Sequence, residues 1–232
     1  MSEHAAVFLE SVLRLEPRVA VFDCDGTLWS PDAGEGFLDW ELERGLLAPE
    51  MARWVRARYN EYKSGTVPED VMCGEMVTIH AGLRDELVES AAEEFIAARI
   101  EPWFFSEMRE LVAQLQLRGS IAWAVSSSNQ WIIRAAMRRF GIPAERILAA
   151  EVEVQNGLVT DHLIRIPTGA GKARAIREKI AAPVDAAFGN TRWDAEMLQL
   201  ARHAFAINPT QDFERLARNN HWTIYFPDGA RR

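Results

Sequence analysis

Apolar positions fall along the chain in two alternating ways, as short unbroken runs and as stripes at helical spacing. The run Arg18–Phe22 (RVAVF) is β-branched and aromatic with no helical period, so it predicts a buried strand, stopped by Gly26 and Thr27. After Pro102 such runs recur at 120–125, 184–188, 203–208 and 222–226, and 149–162 reads as a hairpin with Asn156-Gly157 in its turn. Amphipathic stripes at 105–119, 131–141, 171–180, 193–201 and 211–219 predict the helices between them.

One stretch breaks the alternation. From Gly34 to about Ile100 the pattern is helical throughout, with segments at 35–45, 49–65, 68–82 and 84–100 and no strand between them. The remaining strand–helix alternation implies an α/β fold, a Rossmann-like, mostly parallel sheet with helices on both faces. The helical stretch then becomes an insertion, residues 32–101, after the first strand of a core formed by 1–31 and 102–232. The first 16 residues read as an amphipathic helix ending before Pro17, with Glu3, Glu10 and Glu16 in place of a signal peptide's basic start.

Composition narrows the partners. The 232 residues are 48% hydrophobic and 26% charged, as in a soluble domain with a sizeable core. A formal net charge of -8 disfavours nucleic acid and anionic membranes as main partners. No apolar run approaches the ~20 residues that span a bilayer. Two cysteines, Cys24 and Cys73, make no disulfide framework, so a reducing cytoplasm is the expected home. Oligomeric state is not readable.

In such a sheet, ligands sit beyond the carboxyl ends of the strands. Four polar clusters fall there or open helices: Asp23-Cys24-Asp25-Gly26-Thr27, Ser126-Ser127-Ser128-Asn129, Gly169-Ala170-Gly171-Lys172 and Gly189-Asn190-Thr191-Arg192-Trp193-Asp194. Taken singly, each has an ordinary structural explanation. The serines suit a helix cap, the lysine a solvated position, and the two acidic clusters suit turns with a capping carboxylate. Their joint order is what points to chemistry.

That joint pattern resembles the haloacid dehalogenase-like superfamily, in particular its phosphoserine-phosphatase-like branch. VAVFDCDGT matches the first motif, hhhhDxDGT; Ser126 after AWAV matches the second, Lys172 the third, and GNTRWD the fourth, usually GDxxxD, with Asn190 in place of an Asp. The resemblance implies a magnesium-dependent phosphatase acting on a small phosphorylated metabolite, with residues 32–101 as a helical cap. It assigns Asp23 as nucleophile, forming an aspartyl-phosphate, and Asp25 as general acid and base. It assigns Mg2+ to the Asp23 carboxylate, the Asp25 carbonyl and Asn190, with Asp194 in support. Ser126 and the backbone N–H groups of Ser127 and Ser128, at a helix start, would bind the phosphoryl oxygens, and Lys172 would neutralise charge. The metal is what makes two adjacent acids tolerable.

The helical insertion bears on the substrate. By the same resemblance, a phosphoserine phosphatase carries an acid soon after the first motif, here Asp32 or Glu35, and an arginine in the cap for the substrate carboxylate. The segment 68–82 has no arginine, and Glu75 falls nearest that place, on an apolar side with Val71 and Ile79. Glu75 is either a substrate contact or half of a salt bridge with a cap arginine. As a substrate contact, it would repel a carboxylate and attract an amine. With the aromatic residues Trp29, Trp40, Trp54, Tyr59 and Tyr62 close in sequence, phosphocholine- or phosphoethanolamine-type esters then become the alternative to phosphoserine. A dehalogenase or phosphomutase is a further alternative, although a dehalogenase has no need of Asp25. A non-catalytic phosphoryl-binding protein would have no need of the intact Asp23, Asp25, Ser126 and Lys172.

Overall fold

A computed structural model describes residues 2–230. Its strands are β1 (Val19–Phe22), β2 (Ile121–Asn129), β3 (Ile147–Gln155), β4 (Leu158–Arg165), β5 (Ala186–Gly189), β6 (His203–Ile207) and β7 (Thr223–Tyr225). They form one sheet in the order β4-β3-β2-β1-β5-β6-β7, and every neighbouring pair is parallel except β3–β4. The strand order reverses at β1, which opens a crevice at the carboxyl ends of β1, β2 and β5.

β1 shows why the strand is apolar throughout. Val19 and Val21 pack with Ile176, Met197 and Phe213, whereas Ala20 and Phe22 pack with Phe8, Val112 and Ile132 on the other side. Successive side chains point to opposite faces, and both faces are covered. Helices α1 (Glu3–Leu13), α6 (Ser106–Leu117) and α7 (Gln130–Arg139) cover one face; α8 (Ala170–Lys179), α9 (Ala195–Leu200) and α10 (Gln211–Asn219) cover the other. The α/β reading of the sequence therefore holds.

A ladder of stacked rings fixes the strand ends. Phe22 lies 4.4 Å from Phe188, and Phe188 lies 4.7 Å from Phe205, centroid to centroid, across β1, β5 and β6. Each fully buried ring contributes roughly 1.5–3 kcal/mol of apolar burial. Phe22 immediately precedes Asp23 and Phe188 lies two residues before Asn190, so the ladder sets the spacing of the loops that carry them.

Between β1 and α6 lie α2 (Ala33–Arg44), α3 (Pro49–Lys63), α4 (Glu69–Thr78) and α5 (Asp85–Phe95), the last running into a π turn at Ile96–Ile100. Asp32 caps α2 by accepting from the Glu35 N–H at 2.9 Å, and Gly45 closes it in the left-handed region. Phe37 of α2 and Val88 and Phe95 of α5 join the main core, while Leu38, Val55, Tyr59 and Met72 form a satellite cluster. Helix α4 packs on the β3–β4 hairpin, whose turn residues Asn156 and Gly157 both take positive φ (53° and 76°), as a tight primed turn requires.

Candidate active site

Asp23 is the first residue beyond β1, and its N–H donates to the Phe188 carbonyl at 2.9 Å. Its carboxylate is almost fully enclosed. Lys172 Nζ donates to Oδ1 at 2.6 Å and Thr27 Oγ1 donates to Oδ2 at 2.8 Å. The same Lys172 ammonium donates to Asp194 Oδ1 at 2.6 Å. Burial, then the Asp194 charge, pushes the Asp23 carboxyl up to about 7, with Lys172 pulling the other way. Burial acts to lower the Lys172 ammonium, but Asp194 and Asp23 outweigh it and the pKa rises.

Asp25 lies two residues further and is held by donors on both oxygens. Trp29 Nε1 and the Ala33 N–H donate to Oδ1 at 2.8 and 2.7 Å, and Ser128 Oγ donates to Oδ2 at 2.7 Å. Burial raises its pKa against these hydrogen bonds. Ser128 thereby ties β2 to β1.

The serine cluster is arranged differently from the sequence expectation. The backbone stays extended through Asn129, and α7 starts at Gln130 with Asn129 as its cap, accepting from the Ile132 N–H at 3.1 Å. Ser127 and Ser128 are therefore strand-end residues beside the cavity and do not open the helix. Ser126 is fully buried behind them, its Oγ accepting from the Ser128 N–H at 3.1 Å. Ser127 and Ser128 line the cavity and Ser126 does not, the β2–β3 register shift between Val125 and Asn129 breaking the regular alternation of side chains there.

Asn190 lies at the end of β5 against Gly26. A methyl group at Gly26 would sit 1.7 Å from Asn190 Nδ2, and its φ of +77° also demands glycine. Asp194 accepts through Oδ2 from the Asn190 and Thr191 N–H groups, both at 3.0 Å. Both of its oxygens are thus engaged, one on Lys172 and one on the loop. Both Asp23 oxygens are engaged as well, by Lys172 and Thr27, so hydrogen bonding does not separate the two acids. The candidate oxygen donors for a cation are the Asp23 carboxylate, the Asp25 carbonyl and the Asn190 amide, with Asp194 in support behind them. Three aspartates around one lysine leave an excess of negative charge, and an all-oxygen donor set fits a hard divalent ion such as Mg2+. Among the described residues no three His, Cys, Asp or Glu side chains converge as a metal cage; this donor set has one carboxylate among its three.

Asp23, Asp25, Lys172 and Asn190 line one cavity of about 230 Å3, with Ser127 and Ser128. A second cavity of about 70 Å3 shares Asp32, Glu69, Ser127 and Ser128 with it and continues between α2, α3 and α4. Glu75 lines neither cavity. Arg58 of α3 grips it through Nε and Nη2, at 2.7 Å for the shortest contact. The sequence's substrate-contact reading of Glu75 is corrected accordingly: α4 turns it towards α3, and the salt bridge is its place. The acid that does reach the cavities is Glu69, six residues earlier. Nothing in the sequence separates Glu69 from any acid in the first turn of a helix. Trp29 is buried on Asp25, Trp54 is half exposed, and Tyr59 and Tyr62 line the second cavity.

A buried lysine bridging two aspartates, with a third acid alongside, lies at the switch point of the parallel sheet. The sequence pattern described as haloacid dehalogenase-like hydrolase matches residues 20–199. The chain belongs to that family and is an enzyme of the phosphatase type. A histidinol-phosphatase of Neisseria meningitidis serogroup C is 25% identical over 217 residues, covering 89% of this chain and 97% of its own. Among solved structures, a protein of unknown function from Bordetella pertussis Tohama I gives a TM-score of 0.80 at 20% identity, over 90% of this chain and 97% of that one. A substrate-bound phosphoserine phosphatase gives 0.58 at 17% identity, over 92% and 94%.

Proposed function

We propose that the protein is a magnesium-dependent phosphatase that hydrolyses a small phosphate monoester through an aspartyl-phosphate on Asp23. The observation that carries this reading is Lys172 Nζ at 2.6 Å from both Asp23 and Asp194 inside the cavity that Asp25 also lines. A dianionic ester repels a carboxylate nucleophile, so the site must supply positive charge without reorganising. Lys172 does so, held in place by Asp194. Mg2+, when bound by Asp23, the Asp25 carbonyl and Asn190, would supply further positive charge and orient the phosphoryl group.

Asp23 Oδ attacks phosphorus, and the departing alkoxide takes a proton from Asp25. The Asp25 carboxylate then removes a proton from the water that attacks the acyl-phosphate, and inorganic phosphate leaves. Ser127 and Ser128 border the phosphoryl position. Residues 32–101 act as a cap that covers the leaving alcohol, and the fully buried Cys24 stays a thiol, its pKa raised by burial. No helix among the described residues is long and apolar enough to cross a membrane; we place the enzyme in the cytoplasm with a diffusible phosphorylated metabolite as substrate.

The test is phosphate release from a panel that includes phosphoserine, phosphoethanolamine, phosphocholine and histidinol phosphate, the ester named by the Neisseria relative, with and without Mg2+. In Asp23→Asn, turnover should fall below about one-thousandth of wild type while the fold is kept. Retention of more than a tenth of wild-type turnover, on the order of one kcal/mol of barrier, would remove Asp23 as nucleophile.

A further inference from the structure

The second cavity bears on which alcohol leaves. It opens from the phosphoryl site at Ser127 and Ser128 and has a volume of about 70 Å3, room for a compact group of a few non-hydrogen atoms. Its walls hold three acids, Asp32, Glu35 and Glu69, and two tyrosine rings, Tyr59 and Tyr62, 5.7 Å apart. Among the described residues lining it there is no arginine, lysine or histidine. In the adjoining cavity the only cation of this kind is Lys172, already bound by two aspartates.

The three acids are not equivalent. Glu35 is paired outward with Lys63 at 3.0 Å. Asp32 and Glu69 line both cavities, and among the described residues neither has a cationic partner. Glu69 accepts from Tyr62 Oη at 2.5 Å and from the Cys73 thiol at 3.8 Å, so each oxygen has one donor and room for another. Asp32 spends one oxygen on the Glu35 N–H. A carboxylate placed in this pocket would meet two like charges, the neighbouring Lys63 being held by Glu35 over the Tyr59 ring, whereas an ammonium would meet two acceptors and the Tyr62 ring.

We propose that Glu69, seconded by Asp32, is the specificity-determining residue of this enzyme and that it selects the phosphate ester of a small amino alcohol that has an ammonium group and no carboxylate. This rests on the phosphatase reading of the adjoining cavity. Glu69 reaches the pocket because Pro68 breaks the chain just before α4, leaving residue 69 at the helix end that faces the cavities.

The experiment compares kcat/KM for phosphoethanolamine, glycerol phosphate and phosphoserine with Mg2+ present, in wild type and in Glu69→Gln, a near-isosteric change that keeps an acceptor for Tyr62. Wild type should rank the amino ester first and phosphoserine last. Glu69→Gln should lower the ratio of amino ester to glycerol phosphate by roughly tenfold or more, the scale of one charge-assisted contact. A wild type that favours phosphoserine or glycerol phosphate overturns the proposal, and so does a smaller change in that ratio. Should Glu69→Gln fail to fold, the wild-type ranking decides. Absence of phosphate release from all three esters counts against the reaction itself and takes the specificity with it. Release with the wrong ranking leaves the reaction standing and removes only the role of Glu69.

Discussion

Lys172 is almost completely buried, with Nζ at 2.6 Å from two carboxylates, so its charge is tolerated only because both partners are present. Lys172→Met keeps the length of the side chain and removes the charge, leaving Asp23 and Asp194 facing each other. Loss of one partner of a buried pair costs about 3–5 kcal/mol. Thermal unfolding of Lys172→Met should therefore come roughly 6–20 °C lower for a domain of this size. Phosphate release should be lost with it. A melting temperature within a degree or two of wild type would mean that the pair is not buried in solution. Asn190 offers the opposite kind of test. Asn190→Asp adds a charged oxygen donor beside Gly26 and should lower half-saturating Mg2+ by roughly tenfold, since ligand charge tunes such sites. An unchanged Mg2+ titration would take residue 190 out of the ligand set.

Between elements, two of the ion pairs that involve α2–α4 differ sharply in burial. Arg58 and Glu75 link α3 to α4, both partly buried. Glu75→Gln should lower the melting temperature and shift the ratio of phosphoethanolamine to phosphoserine kcat/KM by no more than about twofold, well under half of the 1.4 kcal/mol that a tenfold change represents. A larger shift in that ratio would return Glu75 to the substrate. The second pair is inside: His80 Nε2 meets Glu41 of α2 at 2.5 Å, and Nδ1 meets the Val77 carbonyl at 3.1 Å. Both residues are fully enclosed. Burial acts to lower the His80 pKa, but the Glu41 charge and both hydrogen bonds raise it above the ordinary value near 6.5. A raised folded-state pKa contributes stability that is complete below about 6.5 and is lost as pH climbs through the folded value. Unfolding free energy followed against pH should fall on the alkaline side of about 6.5 in wild type, and this component should vanish in His80→Phe. A pH profile that is the same in both proteins would show that the pair contributes no such linkage.

At the scale of the whole molecule, the net charge of -8 and the cluster of acids around the crevice set the conditions for a cation. A ligand that binds only the native state stabilises it by about 2.7 kcal/mol at one hundred times its dissociation constant. Saturating Mg2+ should therefore raise the melting temperature by roughly 5–10 °C, and a chelator should reverse the gain. Na+ at equal ionic strength separates specific binding from screening. Equal shifts with the two ions would leave the crevice without a specific Mg2+ site.

What the sequence determined by itself is whatever depends on neighbours along the chain. The doubly covered β1 was legible from its unbroken apolar run, the β3–β4 turn from Asn156-Gly157, and the α/β order from the alternation of periods. Asp23, Asp25, Lys172 and Asp194 were legible because each sits beside such an element, in the order of a known family. Tertiary structure decided whatever depends on direction. Ser126 is buried behind Ser128 where the β2–β3 register shifts between Val125 and Asn129, and the helix cap falls to Asn129. Glu75 faces Arg58, and Glu69 faces the cavity, through the rotation of α4 against α3 and the hairpin. Helical spacing fixes which residues share a side of α4, but only packing fixes which side meets the substrate.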